Sequence, residues 1–176
     1  MGKKYSAYGV TRLGLVAACY MVLTMILAPL SFGIGVRLGE GLNFLGLYDK
    51  RYVYGITIGV FLVNYFSYGP VDMVVGSLSS LVFITLGVDL AEWIVARLPQ
   101  KYWEKIDPMM IKYLILGTIF TISMVTIALM IMYLGNLSWD AFPALYGGLM
   151  LSEAISLLLG GSVMYFVGKR LDLRIT

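Results

Sequence analysis

The 176-residue chain has no histidine and a single cysteine, Cys19. One thiol excludes a disulfide within the chain, and the imidazole and thiolate sets that hold soft or borderline metals have no members here. No cofactor or metal is expected. No segment reads G-x-x-x-x-G-K-[ST], so the chain does not bind ATP through a phosphate loop; any ATP-driven work has to come from a partner. The lack of histidine, of paired cysteines and of a serine beside a base argues against an enzyme. Charge is scarce too, with only 13% of residues Asp, Glu, Lys or Arg. There is no linker or low-complexity run, and the longest polar stretch is 99–108. No internal repeat is visible, which disfavours a self-contained transporter built of two related halves.

What the chain has in excess is hydrocarbon. Apolar residues make up 60% of it and the mean hydropathy is +0.86. A soluble domain cannot hide that much apolar surface, so the composition predicts an all-α membrane protein forming one domain over 1–176. The formal charge of +3 comes from basic residues beside the apolar runs, a pattern that fits membrane orientation rather than nucleic-acid binding. Five long apolar segments lie at about 11–30, 52–68, 71–97, 109–134 and 143–168. Lys3, Lys4 and Arg12 resemble the charged start of a signal peptide. The run from Leu13 to Leu30, however, is too long for one and lacks a small-x-small cleavage pattern, so it is expected to stay as the first spanning helix.

A sixth segment, about 38–49, is short. The basic residues decide whether it crosses. Six crossings place Lys3, Lys4, Arg12, Lys50, Arg51, Arg97, Lys101, Lys105, Lys112, Lys169, Arg170 and Arg174 on one side and only Arg37 on the other. The excess of basic residues on cytoplasmic loops then puts both termini inside. About 12 residues span only about 18 Å as an α-helix, so this segment must cross a thinned or cavity-facing region.

That sixth segment is the centre of the sequence. Ser31-Phe-Gly-Ile-Gly-Val-Arg-Leu-Gly-Glu-Gly-Leu-Asn43 carries four glycines and sets Arg37, Glu40 and Asn43 three apart, which puts all three on one helical face. Charge and irregular backbone at membrane depth are tolerated where they face protein or a cavity. Either a local Arg37–Glu40 pair at the membrane surface or one wall of a ligand site satisfies that condition. Glu153 lies about 15 Å into the last helix, where an unpaired carboxylate costs about 2.5–3.5 kcal/mol, so a partner, a proton or a ligand must compensate it. Asn64 is a buried amide needing partners. Pro70 and Asp72 in Tyr68-Gly-Pro-Val-Asp72 also serve as ordinary helix-start residues. The predicted outer loops, 31–37, 67–71 and 135–142, gather Arg37, Glu40, Asp72 and Asp140. They sit beside an aromatic belt of Phe32, Phe44, Tyr65, Tyr68, Trp139, Phe142 and Tyr146. Asp89 and Glu92, beside Arg97, read as an ion pair at the cytoplasmic end. Gly14 with Ala18, and Gly55 with Gly59, are small residues four apart that let helices approach closely.

Taken together, several of these blocks resemble the QueT family, substrate-binding S components of energy-coupling-factor (ECF) transporters. They are Ala17-Ala-Cys-Tyr-Met-Val-Leu-Thr24, Ala28-Pro-Leu-Ser-Phe-Gly33, Val36-Arg-Leu-Gly-Glu-Gly-Leu42, Asn64 with Gly69-Pro-Val-Asp-Met-Val-Val-Gly-Ser-Leu78, and Ser152-Glu153. The resemblance implies an S-component-like bundle of six transmembrane helices with a short second one. It implies capture of a queuosine precursor, a deazaguanine base, from outside. It also implies a membrane scaffold subunit and two ATPase subunits as partners, with docking through Gly14 and Ala18 of the first helix. The expected ligand contacts are Arg37, Glu40, Asn43, Asn64, Tyr68, Asp72, Trp139 and Glu153. Carboxylates suit the paired N–H donors of a guanine-type edge, and Tyr68 or Trp139 would stack on the ring. The sequence leaves open a self-sufficient proton-coupled secondary transporter for a small polar metabolite, with Glu153 as the proton carrier.

Overall fold

The computed structural model describes residues 7–25, 35–67, 69–99, 101 and 106–173. Lys3, Lys4, the 28–33 block with Phe32, Tyr68, Lys105 and Arg174 lie outside the described residues. Six helical segments follow in order. They are α1 (Ala7–Met25), a 3-10 helix (Leu38–Leu47), α2 (Tyr52–Ser67), α3 (Pro70–Arg97), α4 (Pro108–Leu134) and α5 (Phe142–Arg170), the last entered through a single 3-10 turn at Trp139–Ala141. Four of them, α1, α3, α4 and α5 with its preceding turn, are long and apolar enough to cross a membrane; α2 is apolar but shorter. The chain is an all-helical membrane bundle. Among the described residues α1 already includes Ala7, a turn before the apolar run begins.

Helix ends follow local chemistry. Asp107 caps α4 by accepting a hydrogen bond from Met109 N at 2.9 Å, with Pro108 in the first turn. Its carboxylate also accepts from the Tyr165 hydroxyl at 2.6 Å and pairs with Lys169 at 3.3 Å. The tyrosine bond first, then the Met109 amide and Lys169, hold its pKa below the usual aspartate value against partial burial. α3 ends at Leu98, held extended by Pro99 behind it. Asp89 and Glu92 do form ion pairs, but with Lys50 of the loop before α2, at 2.7 Å each. Arg97 instead lies over the Trp93 ring at 3.9 Å.

The short second segment is the axle of the bundle. A ten-residue 3-10 helix is unusual, since such runs rarely exceed three or four residues. It gains reach, about 20 Å against about 15 Å for an α-helix of equal length. It persists because it is enclosed: Gly39 through Leu47 are all buried, and all five α-helices pack on it. Three residues per turn give it three faces. Gly39 meets Tyr20 and Thr24 of α1; Gly41 and Phe44, three apart, share a second face, on Gly160 and Gly161 of α5, with Phe44 also stacked on Tyr113 of α4 at 4.2 Å; Gly46, on the third, meets Ile84 and Val88 of α3 and Val53 of α2. The close approach explains one glycine pair. A Cβ at Gly41 would fall into the backbone of Gly160, and one at Gly160 into that of Gly41. α1 and α2 pack in the same manner, with Gly55 against the Leu13 backbone and Gly59 against Ala17 and Tyr20. Gly14 and Ala18, by contrast, lie on the exposed face of α1, and a Cβ at Gly14 meets nothing within 4 Å.

Candidate functional site

A cavity of about 1050 Å³ lies within the bundle, walled by every helix. It is somewhat larger than the usual range for small-molecule sites and shares their character, a largely apolar wall carrying a few polar groups. Arg37, Glu40, Asn64, Asp72 and Glu153, five of the residues singled out in the sequence, line it. Glu40 and Glu153 are thus brought to one cavity from separate elements.

The polar wall is built on the 3-10 helix. Because residues three apart eclipse in that geometry, Glu40 and Asn43 stack, and Asn43 Nδ2 donates to Glu40 Oε2 at 2.8 Å. The Tyr20 hydroxyl of α1 donates to Glu40 Oε1 at 2.7 Å. Arg37, at the N-terminal end, reaches Glu40 Oε1 through Nε at 3.3 Å and Glu153 Oε2 through Nη2 at 3.2 Å. Its backbone N–H donates to Ser156 Oγ at 2.9 Å, and that hydroxyl donates to the Ser152 carbonyl at 2.8 Å. The guanidinium therefore bridges two carboxylates while its backbone is pinned to α5. Asn43 is wholly buried and is not part of the cavity wall; it braces Glu40 from behind.

The two glutamates differ in what is left to them. Both oxygens of Glu40 are engaged, by Tyr20, Arg37 and Asn43. Glu153 is 2% exposed, and only its Oε2 is engaged. Among the described residues three buried side-chain oxygens lack a hydrogen-bond partner: Thr24 Oγ1, Asn43 Oδ1 and Glu153 Oε1. Of these, only the Glu153 atom belongs to a residue on the cavity wall. A buried, unused carboxylate oxygen costs free energy until a donor reaches it.

The opposite wall is lighter in charge. Asn64 Nδ2 donates to the Asp72 carbonyl at 3.1 Å, tying α2 to the first turn of α3. This is the partner its burial requires. Asp72 stands in the first turn of α3, whose N-cap is Gly69, and it lines the cavity. Three carboxylates (Glu40, Asp72, Glu153) thus face one guanidinium (Arg37) across the wall.

Trp139 is not on the described cavity wall. It is 70% exposed and packs on Phe142, which stacks on Tyr146. That is the arrangement of an interfacial belt. Tyr68 lies outside the described residues. The aromatic surfaces the cavity does offer are Phe120 of α4 and Tyr20 of α1, with Met124 one turn from Phe120. Ser79, Ser80 and Ser152 add hydroxyls. Ser79 Oγ is bonded to Thr126 Oγ1 at 2.8 Å. Phe120 and Met124 were not legible beforehand, since α4 is apolar on every side. Tyr20 carried a signal, a polar-tipped aromatic in the middle of a spanning helix.

The comparisons with known proteins agree with this architecture. The model of the QueT transporter family matches residues 10–169. A curated protein of Lactococcus lactis subsp. cremoris (strain MG1363), named "Queuosine precursor transporter QueT", is 36% identical over 174 residues, covering 97% of this chain and 98% of that protein. No solved structure matches the chain at a significant level. With the match running across all six helical segments and the whole polar wall, the chain belongs to the QueT transporter family.

Proposed function

We propose that this chain is the substrate-capture subunit of an ECF-type importer and that it binds a queuosine precursor, a deazaguanine-type base, in the cavity. The observation that carries the reading is the unused Glu153 Oε1, buried on a wall where Glu40 is already saturated. A guanine-type edge presents adjacent N–H donors, and a carboxylate accepts such donors strongly. Glu153 is then the ligand acceptor, with Asn64, Asp72 and Arg37 as further polar contacts and Phe120 as the stacking surface. Glu40 and Asn43 are positioning residues: they hold Arg37, and Arg37 holds Glu153. The QueT name of the Lactococcus relative supports the substrate class.

The orientation follows from charge. Lys50, Arg51, Arg97, Lys101, Lys112, Lys169 and Arg170 cluster at helix ends on one side, and Arg37 stands alone on the other. Six crossings with cytoplasmic termini satisfy that bias, so ligand enters from outside. Movement of the ligand then depends on a membrane scaffold and two ATPase subunits. The exposed Gly14 and Ala18 of α1 give the scaffold a surface of small residues to approach. The test is purification of the chain with and without its expected partners. Tight retention of a deazaguanine by the chain alone, with uptake only when scaffold and ATPases are present, supports the proposal. Proton-driven uptake into vesicles by the chain alone would replace it with a secondary transporter.

A further inference from the structure

A second, apolar cleft of about 630 Å³ runs between α4 and α5 on the face turned away from α1, floored by Phe44, Tyr113 and Gly161. We propose that this cleft is a binding site for one glycerophospholipid, whose acyl chain lies against Phe44 and whose phosphate sits at the basic inner end of α5. Four observations point to that occupant.

The first is the chemistry of the walls. The hydroxyls lining the cleft are nearly all committed elsewhere. Thr118 and Ser162 donate to carbonyls of their own helices, Tyr113 is bonded to Tyr48, and Tyr165 donates to Asp107. Among the described residues only Thr121 makes no such bond. A polar solute finds almost nothing to pair with here, whereas hydrocarbon needs nothing.

Length is the second. Along α4 the cleft extends from Met110 to Ile122, about 18 Å at 1.5 Å per residue. Half of a bilayer's hydrocarbon core is about 15 Å, so the cleft is one leaflet deep and starts at the membrane surface.

The third is its charged mouth. Lys169 and Arg170 continue the face of α5 that carries Tyr165 and Phe166, one turn further on. Lys169 Nζ lies 4.4 Å above the Tyr165 ring. Asp107 pairs with Lys169, while Arg170 is exposed at the same end. A guanidinium and a phosphate match in charge and geometry.

The fourth is width. α4 and α5 pack directly on one another, so the groove between them is narrower than a helix about 10 Å across, and only the side chains of a partner helix could enter it. A single acyl chain reaches the floor.

The test uses the full chain in mild detergent, titrated with phosphatidylglycerol or phosphatidylcholine and read by native mass spectrometry, with thermal melting as the check on folding. Wild type is expected to hold one phospholipid, with phosphatidylglycerol retained at higher detergent than phosphatidylcholine. Gly117→Leu fills the cleft, and a Cβ there meets only Phe44 at an ordinary 3.7 Å, so the fold should survive while the lipid-bound species is lost. Thr118→Phe, on the exposed wall, should do the same if Gly117→Leu does not fold. Arg170→Ala should erase the preference between the two lipids. The proposal is overturned if no phospholipid adduct forms on wild type, if folded cleft-filling variants bind lipid as wild type does, or if Arg170→Ala leaves the headgroup preference intact.

Discussion

Replacing Glu153 by glutamine keeps the side chain's volume and removes one charge, and the arrangement around it fixes which way the amide must turn. Arg37 Nη2 sits 3.2 Å from Oε2 and donates only, so it will hold the amide oxygen. The amide nitrogen is then left in the place of Oε1, the oxygen without a protein partner. A ligand N–H aimed at that place meets a donor instead of an acceptor. A hydrogen bond to a charged group contributes about 1.5–3 kcal/mol, which is about a 10- to 150-fold loss of affinity at 1.4 kcal/mol per decade. Glu40→Gln is the matched control. Tyr20 and Arg37 both reach Oε1 and Asn43 donates to Oε2, so an amide nitrogen in the place of Oε2 forces Asn43 to turn over, and Arg37 loses one of the two charges that hold it. Its main effect should be on stability, about 1–3 kcal/mol for a buried group left unpaired, seen as a lower melting temperature. Titration calorimetry with a 7-deazaguanine, paired with thermal melts of both variants, reads the difference. If Glu153→Gln binds with wild-type affinity, the assignment of Glu153 as the ligand acceptor is wrong. If Glu40→Gln loses more affinity than Glu153→Gln with no loss of stability, the two roles have been assigned in reverse.

Three further outcomes are expected. Gly160→Leu forces side-chain atoms into the Gly41 backbone; overpacking of this kind costs about 1–3 kcal/mol or more, and the variant should fail to give monodisperse protein on size exclusion. Ser80→Ala removes a hydroxyl that lines the cavity and makes no hydrogen bond among the described residues; the fold should be unchanged, and deazaguanine binding should weaken by about 0.5–1.5 kcal/mol, the contribution of a neutral hydrogen bond. Asp107, whose pKa is held low by Tyr165, Met109 and Lys169, stabilises the fold when ionised. That contribution is complete above the unfolded value of about 3.9 and is lost as pH falls through the lower folded value. Asp107→Asn should therefore melt below wild type at pH 7, and the gap should close as the pH is taken below about 4.

Much of the site was legible because lipid makes polar groups conspicuous. Glu153 in a run of apolar residues, Asn64 without a cap to serve, and Arg37, Glu40 and Asn43 at intervals of three each demanded a partner, and the structure supplies one to each. The i, i+3 spacing fits both α and 3-10 geometry, so it gave the shared face but not the helix type. What selects 3-10 is tertiary: five helices close on a segment slim enough to pass between them. The Lys50 pairs with Asp89 and Glu92 were hidden for a related reason, since Arg97 is nearer in sequence and Lys50 only in space. Phe120 and Met124 carried no mark at all, because in a helix as apolar as α4 an apolar residue facing a cavity looks like one facing lipid. Trp139 reads two ways: tryptophan suits a stacking platform and a membrane interface equally, and sequence alone does not separate the two.

A three-residue period restricts how this segment can be lengthened. In an α-helix an insertion turns the downstream residues by about 100°, and neighbours can absorb part of it. Along Leu38–Leu47, one added residue turns everything after it by a full third of a circle. Phe44 would move off the Gly161 and Tyr113 surfaces into the place of Leu45, and the Asn43 brace would leave Glu40. Three added residues restore the phase but push the chain about 6 Å along the axis. The depth of the polar wall is thus adjustable only in coarse steps.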